Sequence, residues 1–240
     1  VEACWTTPGF HAGKYPALAF FTTVPFGPQI GEFMAWKYYG NGNKLEQEIY
    51  AKHGLMSFDA YAIGPETSGW FRAEVKSLDQ LKGMKMRFFG LGAKVMQKLG
   101  VSTQLLAPAD IFPALERGVI DATEFSMPAM DIKQGFHQVA KFNYFPGWHQ
   151  QVSVNHILMS KKAFDALPKS YKKMIEVESG NMLMRNYAES EANNFGAMKE
   201  MTSKFGVQIK RWPDDQIAVF EKTWLEVLQE ESAKDPLMKK

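Results

Sequence analysis

Two charged side chains each close a short apolar segment of this sequence, and they carry its clearest chemistry. Arg87 ends the first segment and Glu124 ends the second. Each segment is predicted to be a buried strand, with a helix over 110–117 between them that ends at Gly118. In an open α/β sheet, ligands bind beyond the carboxyl ends of the strands, so both side chains should face one cleft. This pattern is more typical of a binding protein than of an enzyme.

The apolar surroundings of Arg87 require an anionic partner, because an unpaired buried charge is strongly unfavourable. One interpretation is an internal ion pair with a structural carboxylate. The other is a bidentate clamp on the carboxylate of a ligand, which the planar guanidinium group suits. The residues alone leave both interpretations open.

Glu124 has two interpretations as well. It could pair with Arg87, or it could supply an oxygen ligand to a hard cation. Glu66 and Gln150 lie on predicted turns that could converge with it, and a site of oxygen ligands alone favours sodium or calcium over zinc. His149 lies beside Gln150 in the candidate cleft, and it is interpreted as a turn histidine that faces solvent rather than as a ligand.

Composition and motifs exclude several other kinds of site. A formal net charge of +2 is too balanced for a surface that binds nucleic acid or an anionic membrane. The single cysteine, Cys4, excludes an internal disulfide framework and a CxxC site. The sequence contains no HExxH, GxSxG or phosphate-loop motif and no convincing pair of nucleophile and base. No apolar run approaches the roughly 18–20 residues that span a bilayer.

Alternating strand and helix patterns surround these side chains and predict an α/β fold. Helices are predicted over 30–39 and 45–53, and a buried strand over 55–63. A much longer helical tract covers 171–205 and ends at Gly206. A helix of about 35 residues is roughly 50 Å long, which suits a brace that runs across two lobes.

Five segments distributed along the chain carry the pattern of a known family. They are Gly69-Trp70-Phe71 and the segments 81–87, 114–122, 144–148 and 161–168. In these segments the sequence resembles the solute-binding proteins of tripartite ATP-independent periplasmic (TRAP) transporters, of the dicarboxylate-binding type. It further resembles the branch that binds 2-oxo and 2-hydroxy monocarboxylates, such as pyruvate or lactate, through a bound cation.

The resemblance implies roles for individual residues, around a bound calcium or sodium ion. The substrate-binding residues are Arg87, Phe125, Phe10, Trp148 and Glu124, and the metal-binding residues are Glu66, Glu124 and Gln150. Arg87 corresponds to the arginine that binds the ligand carboxylate. Three positions depart from the pattern: Glu66 stands where Gln is expected, Phe125 where Trp is expected, and Phe10 where Tyr is frequent. A second carboxylate favours calcium over sodium by charge alone.

The resemblance also implies a two-lobed, periplasmic binding protein-like fold with hinge strands and the long bracing helix. Lobe I is predicted to comprise residues 1–60 and 125–152. Lobe II is predicted to comprise residues 61–124 and 153–210, and the helix 171–205 is predicted to span both lobes. Residues 211–240 are predicted to form a C-terminal helix. Relative to the family, the signal peptide and the first βαβ portion are expected to be missing, so the chain is expected to be N-terminally incomplete.

The implied function is to capture a small organic carboxylate in the periplasm and deliver it to the membrane subunits of a TRAP permease. No catalytic residue is assigned, no nucleic-acid partner is expected, and the protein is expected to be a monomer or a homodimer. The apolar face of the C-terminal helix is interpreted as packing on its own lobe. Two alternatives stay open: a metal-dependent enzyme that acts on a keto acid, and a ligand-sensing domain that signals through a protein partner.

Overall fold

A computed structural model describes residues 1–239 and confirms the predicted α/β class. The strands are β1 (Ala3–Thr6), β2 (Leu55–Ile63), β3 (Gly69–Phe71), β4 (Lys85–Arg87), β5 (Ser102–Gln104), β6 (Ala122–Thr123), β7 (Phe142–Tyr144), β8 (Ser153–Ser160) and β9 (Gln208–Lys210). The α-helices are α1 (Ile30–Tyr39), α2 (Gly42–Ala51), α3 (Gly90–Lys98), α4 (Pro108–Glu116), α5 (Pro128–Asp131), α6 (Lys161–Asp165), α7 (Lys169–Phe205) and α8 (Asp214–Lys234). None of the helices within residues 1–239 is long and apolar enough to span a membrane.

The strands form two separate sheets. The smaller sheet is antiparallel and has the order β1–β8–β2. The larger sheet has the order β5–β4–β6–β3–β7–β9 and combines parallel with antiparallel pairs. Within it, β4 and β6 are parallel neighbours, with Arg87 paired to Thr123. Because Glu124 follows Thr123 directly, this register brings Glu124 beside Arg87 at one edge of the sheet, as the sequence predicts.

The sheet memberships correct the predicted lobe boundaries. β7 belongs to the six-stranded sheet rather than with residues 1–60, and β8 belongs to the three-stranded sheet rather than with residues 61–124. The chain therefore passes between the sheets at 64–68, at 145–152 and along α7. The predicted lobe boundary between residues 124 and 125 does not coincide with a change of sheet, because β6 and β7 both pair with β3. The division into two lobes that move stays a prediction.

The long helix α7 confirms the predicted brace. It ends at Gly206, whose φ of 64° is the left-handed conformation in which a glycine terminates a helix. Leu183, in its first half, packs into the apolar core of the smaller sheet. Met201, near its end, packs into a core of the larger sheet. α7 therefore connects the two sheets through side chains buried on both sides.

The C-terminal helix α8 packs onto the larger sheet's side of the molecule. Phe220, Trp224 and Val227 are buried in one apolar core with Val95 of α3. This contact confirms that the apolar face of α8 packs on its own chain. The oligomeric state of the protein stays a prediction.

A network of buried charges lies in the smaller sheet, apart from Arg87 and Glu124. Lys37 Nζ lies 2.7 Å from Glu46 Oε2 and 3.1 Å from Asp59 Oδ1. His156 lies between the same two carboxylates, with Nδ1 3.2 Å from Glu46 Oε1 and Nε2 2.9 Å from Asp59 Oδ1. Lys37 thus places a cation between the two carboxylates, and the network ties α1, α2, β2 and β8 together.

Candidate ligand and cation site

A cavity of about 630 Å³ lies between the two sheets. Its polar lining consists of Thr7, Tyr61, Glu66, Arg87, Ser126, Gln150, Ser153 and Asn155. Its apolar lining consists of Trp5, Phe10, Ile63, Phe89, Leu105, Leu106, Ala107, Pro108, Phe125 and Met130. Apolar walls with a few polar groups are typical of a site for a small molecule.

Arg87 ends β4 at the wall of this cavity and is 4% exposed. Its Nη1 donates hydrogen bonds to the backbone carbonyl of Glu124 at 2.7 Å and to Glu124 Oε2 at 3.0 Å. The guanidinium carbon lies 5.5 Å from the centroid of the Phe125 ring. Among residues 1–239, Nε has no hydrogen-bond partner. The internal ion pair is therefore present, and the same guanidinium still borders the cavity.

Glu124 lies behind Arg87 and is fully buried. Its Oε2 accepts hydrogen bonds from Arg87 and from the backbone N–H of Phe89, the latter at 2.9 Å. Within the described part of the chain its Oε1 has no hydrogen-bond partner, and it lies 3.9 Å from His149 Nε2. Burial alone would raise the pKa of this carboxyl, but the charge of Arg87 and the contact with His149 hold it below its usual value. Glu124 is therefore an ionised carboxylate with one unused oxygen.

Glu66 lies on the segment that follows β2 and is 3% exposed. Its Oε2 has no hydrogen-bond partner among the residues that the structure describes. Burial, and next the charge of Glu124, raise the pKa of Glu66 well above its usual value. Ionisation of Glu66 beside the charged Glu124 is therefore disfavoured, and a cation between the two groups would favour it.

The backbone around Glu66 explains why a glycine precedes Trp148. The N–H of Gly147 donates a hydrogen bond to the carbonyl of Glu66 at 2.7 Å. A Cβ atom at Gly147 would lie only 2.8 Å from the same carbonyl oxygen. Any larger residue would push the two crossing segments apart, so Gly147 keeps Glu66 close to the segment that carries Gln150.

Gln150 borders the cavity next to Glu66. The backbone N–H of Glu66 donates to the carbonyl of Gln150 at 3.1 Å, and Gln150 Nε2 donates to Ser153 Oγ at 2.7 Å. Its side-chain Oε1 is unpartnered within residues 1–239. A buried polar atom without a hydrogen bond costs about 1–3 kcal/mol. Three such oxygens, on Glu66, Glu124 and Gln150, fit a hard cation such as calcium or sodium.

His149 is buried, so its interpretation as a solvent-facing residue is wrong. It is 1% exposed, and its ring packs against Phe88 with a centroid distance of 4.9 Å. Neither ring nitrogen has a hydrogen-bond partner in the part of the chain described. One nitrogen of His149 and one oxygen each of Glu66 and Glu124 lie within 4.8 Å of one another. His149 therefore lies in the cleft, as its position beside Gln150 suggests, although it is not among the metal-binding residues predicted from the sequence.

The three aromatic residues assigned to the pocket lie in different environments. Phe10 and Phe125 line the cavity, and Phe10 contacts the Phe89 ring edge-on at a centroid distance of 5.3 Å. Trp148 does not line the cavity, so its assignment to the ligand wall is wrong. It is 4% exposed, and its ring stacks on Phe220 at 4.8 Å. The segment 145–152 runs between the core and the cavity. Trp148 lies on the side of this segment that faces the core, and Gln150 lies on the side that faces the cavity.

In the part of the chain that the structure describes, the two serines of the cavity lining contact other side chains without an activating base. Ser126 Oγ contacts the sulfur of Met130 at 3.3 Å, and Ser153 Oγ accepts from Gln150. Within residues 1–239, neither serine is hydrogen-bonded to a histidine or lysine that could act as its general base. The arrangement of these residues can hold an anion and a cation, and it is suited to binding.

A family model for bacterial extracellular solute-binding proteins of family 7 (DctP) matches residues 1–235. The chain belongs to this family. This family 7 protein is 36% identical over 241 residues to a monocarboxylate 2-oxoacid-binding periplasmic protein of Nostoc sp. (strain PCC 7120). The match covers 100% of this chain, which spans 65% of the length of that curated relative.

Solved structures of TRAP transporter solute-binding proteins share the fold of this family 7 chain. One is a protein from Bordetella bronchiseptica, solved as a mixed-occupancy dimer with calcium and picolinate bound in the active site. It has a TM-score of 0.95 and 34% sequence identity, and the match covers 100% of this chain and 71% of the Bordetella chain. A protein from Pseudoalteromonas atlantica, with bound sodium and pyruvate, has a TM-score of 0.94 and 33% identity, covering 99% and 72%. The two-lobed family 7 fold is therefore the fold of this chain.

Proposed function

We propose that this protein is a periplasmic receptor for a small 2-oxo or 2-hydroxy monocarboxylate, such as pyruvate or lactate, which it binds together with a cation. It would deliver this ligand to the membrane subunits of a TRAP-type permease. It would not be an enzyme. The 2-oxoacid ligands of the Nostoc relative and the pyruvate and sodium of the Pseudoalteromonas relative support the ligand class.

The observation that carries this proposal is the combination of charges at the cavity. Arg87 borders an otherwise mostly apolar cavity. Next to it, Glu66, Glu124 and Gln150 each hold a buried oxygen that has no hydrogen-bond partner within residues 1–239. An anionic ligand would accept hydrogen bonds from Arg87, and a cation would contact the three unpartnered oxygens, so the two together satisfy both kinds of group.

Each residue then has a defined role. Arg87 would bind the carboxylate of the ligand, because its hydrogen bonds to Glu124 use only Nη1. Glu66, Glu124 and Gln150 would hold the cation, which supplies positive charge to the oxygen atoms of the ligand. Phe10 and Phe125 would cover the ligand and exclude water, which strengthens the electrostatic contacts.

Ligand capture would involve a change in the relative position of the two sheets. The cavity lining comes from both sheets, and the crossing segments 64–68 and 145–152 carry Glu66 and Gln150. We assign one lobe to the three-stranded sheet and the other to the six-stranded sheet, with α7 spanning both. A ligand that contacts residues from both lobes would favour the closed arrangement.

Calorimetric titration of the purified protein with pyruvate, lactate and succinate, in buffer that contains calcium, tests this function. We expect one-to-one binding of pyruvate or lactate and much weaker binding of succinate, because a second carboxylate would meet the apolar wall of the cavity. Recovery of the ligand after incubation, measured by NMR, separates binding from turnover. Preference for succinate, or consumption of pyruvate, would contradict the proposal.

A further inference from the structure

The cavity is larger than the smallest of the proposed ligands requires. Its volume is about 630 Å³, and cavities of about 300–1,000 Å³ typically enclose drug-sized molecules. Pyruvate carries only a methyl group beyond its carboxylate and its 2-oxo carbon. With its carboxylate on Arg87, pyruvate would therefore leave much of the cavity unfilled.

Most polar side chains in the rest of the lining already pair with other side chains. Thr7 Oγ1 donates a hydrogen bond to Asn155 Oδ1. Ser153 Oγ accepts from Gln150, and Ser126 Oγ contacts a methionine sulfur. A polar group at the far end of a ligand would have to compete with these pairs after losing its own hydration. The lining therefore favours a ligand whose remaining part is apolar.

Three large apolar side chains of the lining are more than half exposed. Trp5, Phe10 and Leu105 have exposed fractions of 59%, 55% and 58%. Exposed apolar surface of this kind is typical of a ligand-binding groove, because covering it is favourable in proportion to the area removed from water. Phe10 follows β1 of the three-stranded sheet, and Leu105 follows β5 of the six-stranded sheet. An apolar group between them would therefore contact both sides of the cavity.

Phenylalanine rings connect Arg87 to this exposed apolar surface. The Phe125 ring centroid lies 5.5 Å from the guanidinium carbon of Arg87. Phe89 follows shortly after Arg87 in the chain, and its ring meets the Phe10 ring edge-on at a centroid distance of 5.3 Å. Gly9 allows this arrangement, because a Cβ atom there would lie only 2.7 Å from Phe89 Cζ. A ligand whose carboxylate contacts Arg87 therefore has phenylalanine rings beside its side chain.

We propose that the site prefers a 2-oxo or 2-hydroxy monocarboxylate with a bulky apolar side chain, branched or aromatic, over pyruvate and lactate. Phe10, Phe89 and Leu105 would contact this side chain and select for its size. The inference rests on the proposed function and deepens it by naming the chemical class of the ligand's side chain. Because the walls are apolar, the area of contact rather than a directed hydrogen bond sets the preference.

Calorimetric titration at saturating calcium compares acids that share the same 2-oxo carboxylate group. The probes are pyruvate, 4-methyl-2-oxopentanoate, phenylpyruvate and 2-oxoglutarate. Each additional buried CH₂ group strengthens binding about fourfold, so 4-methyl-2-oxopentanoate should bind at least about tenfold more tightly than pyruvate. We expect phenylpyruvate to bind more tightly than pyruvate as well. We expect 2-oxoglutarate to bind more weakly than 4-methyl-2-oxopentanoate, because its second carboxylate would meet the apolar walls.

Two variants locate this preference in the cavity. Phe10→Ala and Leu105→Ala each shorten an exposed side chain, which the fold should tolerate. The matched control, Leu225→Ala, shortens a leucine of α8 that is 59% exposed and does not line the cavity. We expect each cavity variant to lose at least about fivefold in affinity for the two larger acids and less than about twofold for pyruvate. Thermal unfolding of the same samples verifies that each variant is folded.

The inference is overturned if pyruvate binds as tightly as the two larger acids, or if the cavity variants weaken pyruvate and the larger acids equally. Tight binding of pyruvate alone would support the proposed function and contradict this inference. Preference for 2-oxoglutarate over every monocarboxylate would contradict both, so the two failures are distinguishable.

Discussion

Replacement of Arg87 by lysine should weaken ligand binding while it leaves most of the fold's stability in place. The guanidinium makes two hydrogen bonds to Glu124, both from Nη1, at 2.7 Å and 3.0 Å. A lysine ammonium keeps the positive charge beside Glu124 but cannot present the planar fork that binds a carboxylate through two parallel hydrogen bonds. The variant therefore separates the internal role of Arg87 from its role toward a ligand.

The size of each effect follows from the number of hydrogen bonds lost. A hydrogen bond to a charged group contributes about 1.5–3 kcal/mol. Loss of one of two such bonds to the ligand carboxylate should reduce the affinity about 10- to 150-fold. Arg87→Ala is a poorer test, because removing one partner of a buried ion pair costs about 3–5 kcal/mol of stability. A loss of binding in that variant could result from unfolding.

The assay is calorimetric titration with pyruvate at saturating calcium, with thermal unfolding of the same samples as a measure of stability. Arg117→Lys, at an exposed position that follows α4, is the matched control and should behave as the wild type. If Arg87→Lys folds and binds pyruvate within about threefold of the wild-type affinity, which corresponds to well under 1.4 kcal/mol, Arg87 is only a structural ion-pair partner.

Two further substitutions test other features of the site. Burial raises the pKa of Asp131 to about 8 in the folded state, above an unfolded value of about 3.9. Between these two pH values the folded state binds one more proton than the unfolded state. The protein therefore loses stability as the pH rises through this window. The stability of Asp131→Asn relative to wild type should therefore increase from pH 5 to pH 8, and equal differences at all pH values would contradict this. Trp148→Ala should cost about 3–5 kcal/mol of unfolding free energy, measured by urea denaturation. The fraction that remains folded should bind ligand normally, whereas a selective loss of affinity would return Trp148 to the ligand wall.

The position of Arg87 and Glu124 is the part of the site that the sequence predicts best. Both residues end short apolar segments, and α3, β5 and α4 lie between those segments. Such a unit places its strands in parallel in one sheet, so their carboxyl ends meet at the same edge. The ladder between β4 and β6 has this arrangement. Here a local pattern is sufficient, because the two strands are direct neighbours.

The sheet to which each later strand belongs is much harder to predict. β7 is only three residues long, and its pattern carries no information about whether it pairs with β3 or with the smaller sheet. The same limit explains Trp148 and His149. A crossing segment has buried positions on both of its sides, and apolar character alone does not distinguish the side that faces the core from the side that faces the cavity.

The most direct test of cation-assisted carboxylate binding is a pyruvate titration of one protein sample in two states. The sample is treated with chelator, its metal content is verified by elemental analysis, and it is titrated before and after calcium is restored. We expect a one-to-one complex with calcium and an affinity at least tenfold lower without it, a loss of about 1.4 kcal/mol or more. An affinity for pyruvate that is equal in both states would show that the buried oxygens of Glu66, Glu124 and Gln150 do not hold a cation that the ligand needs.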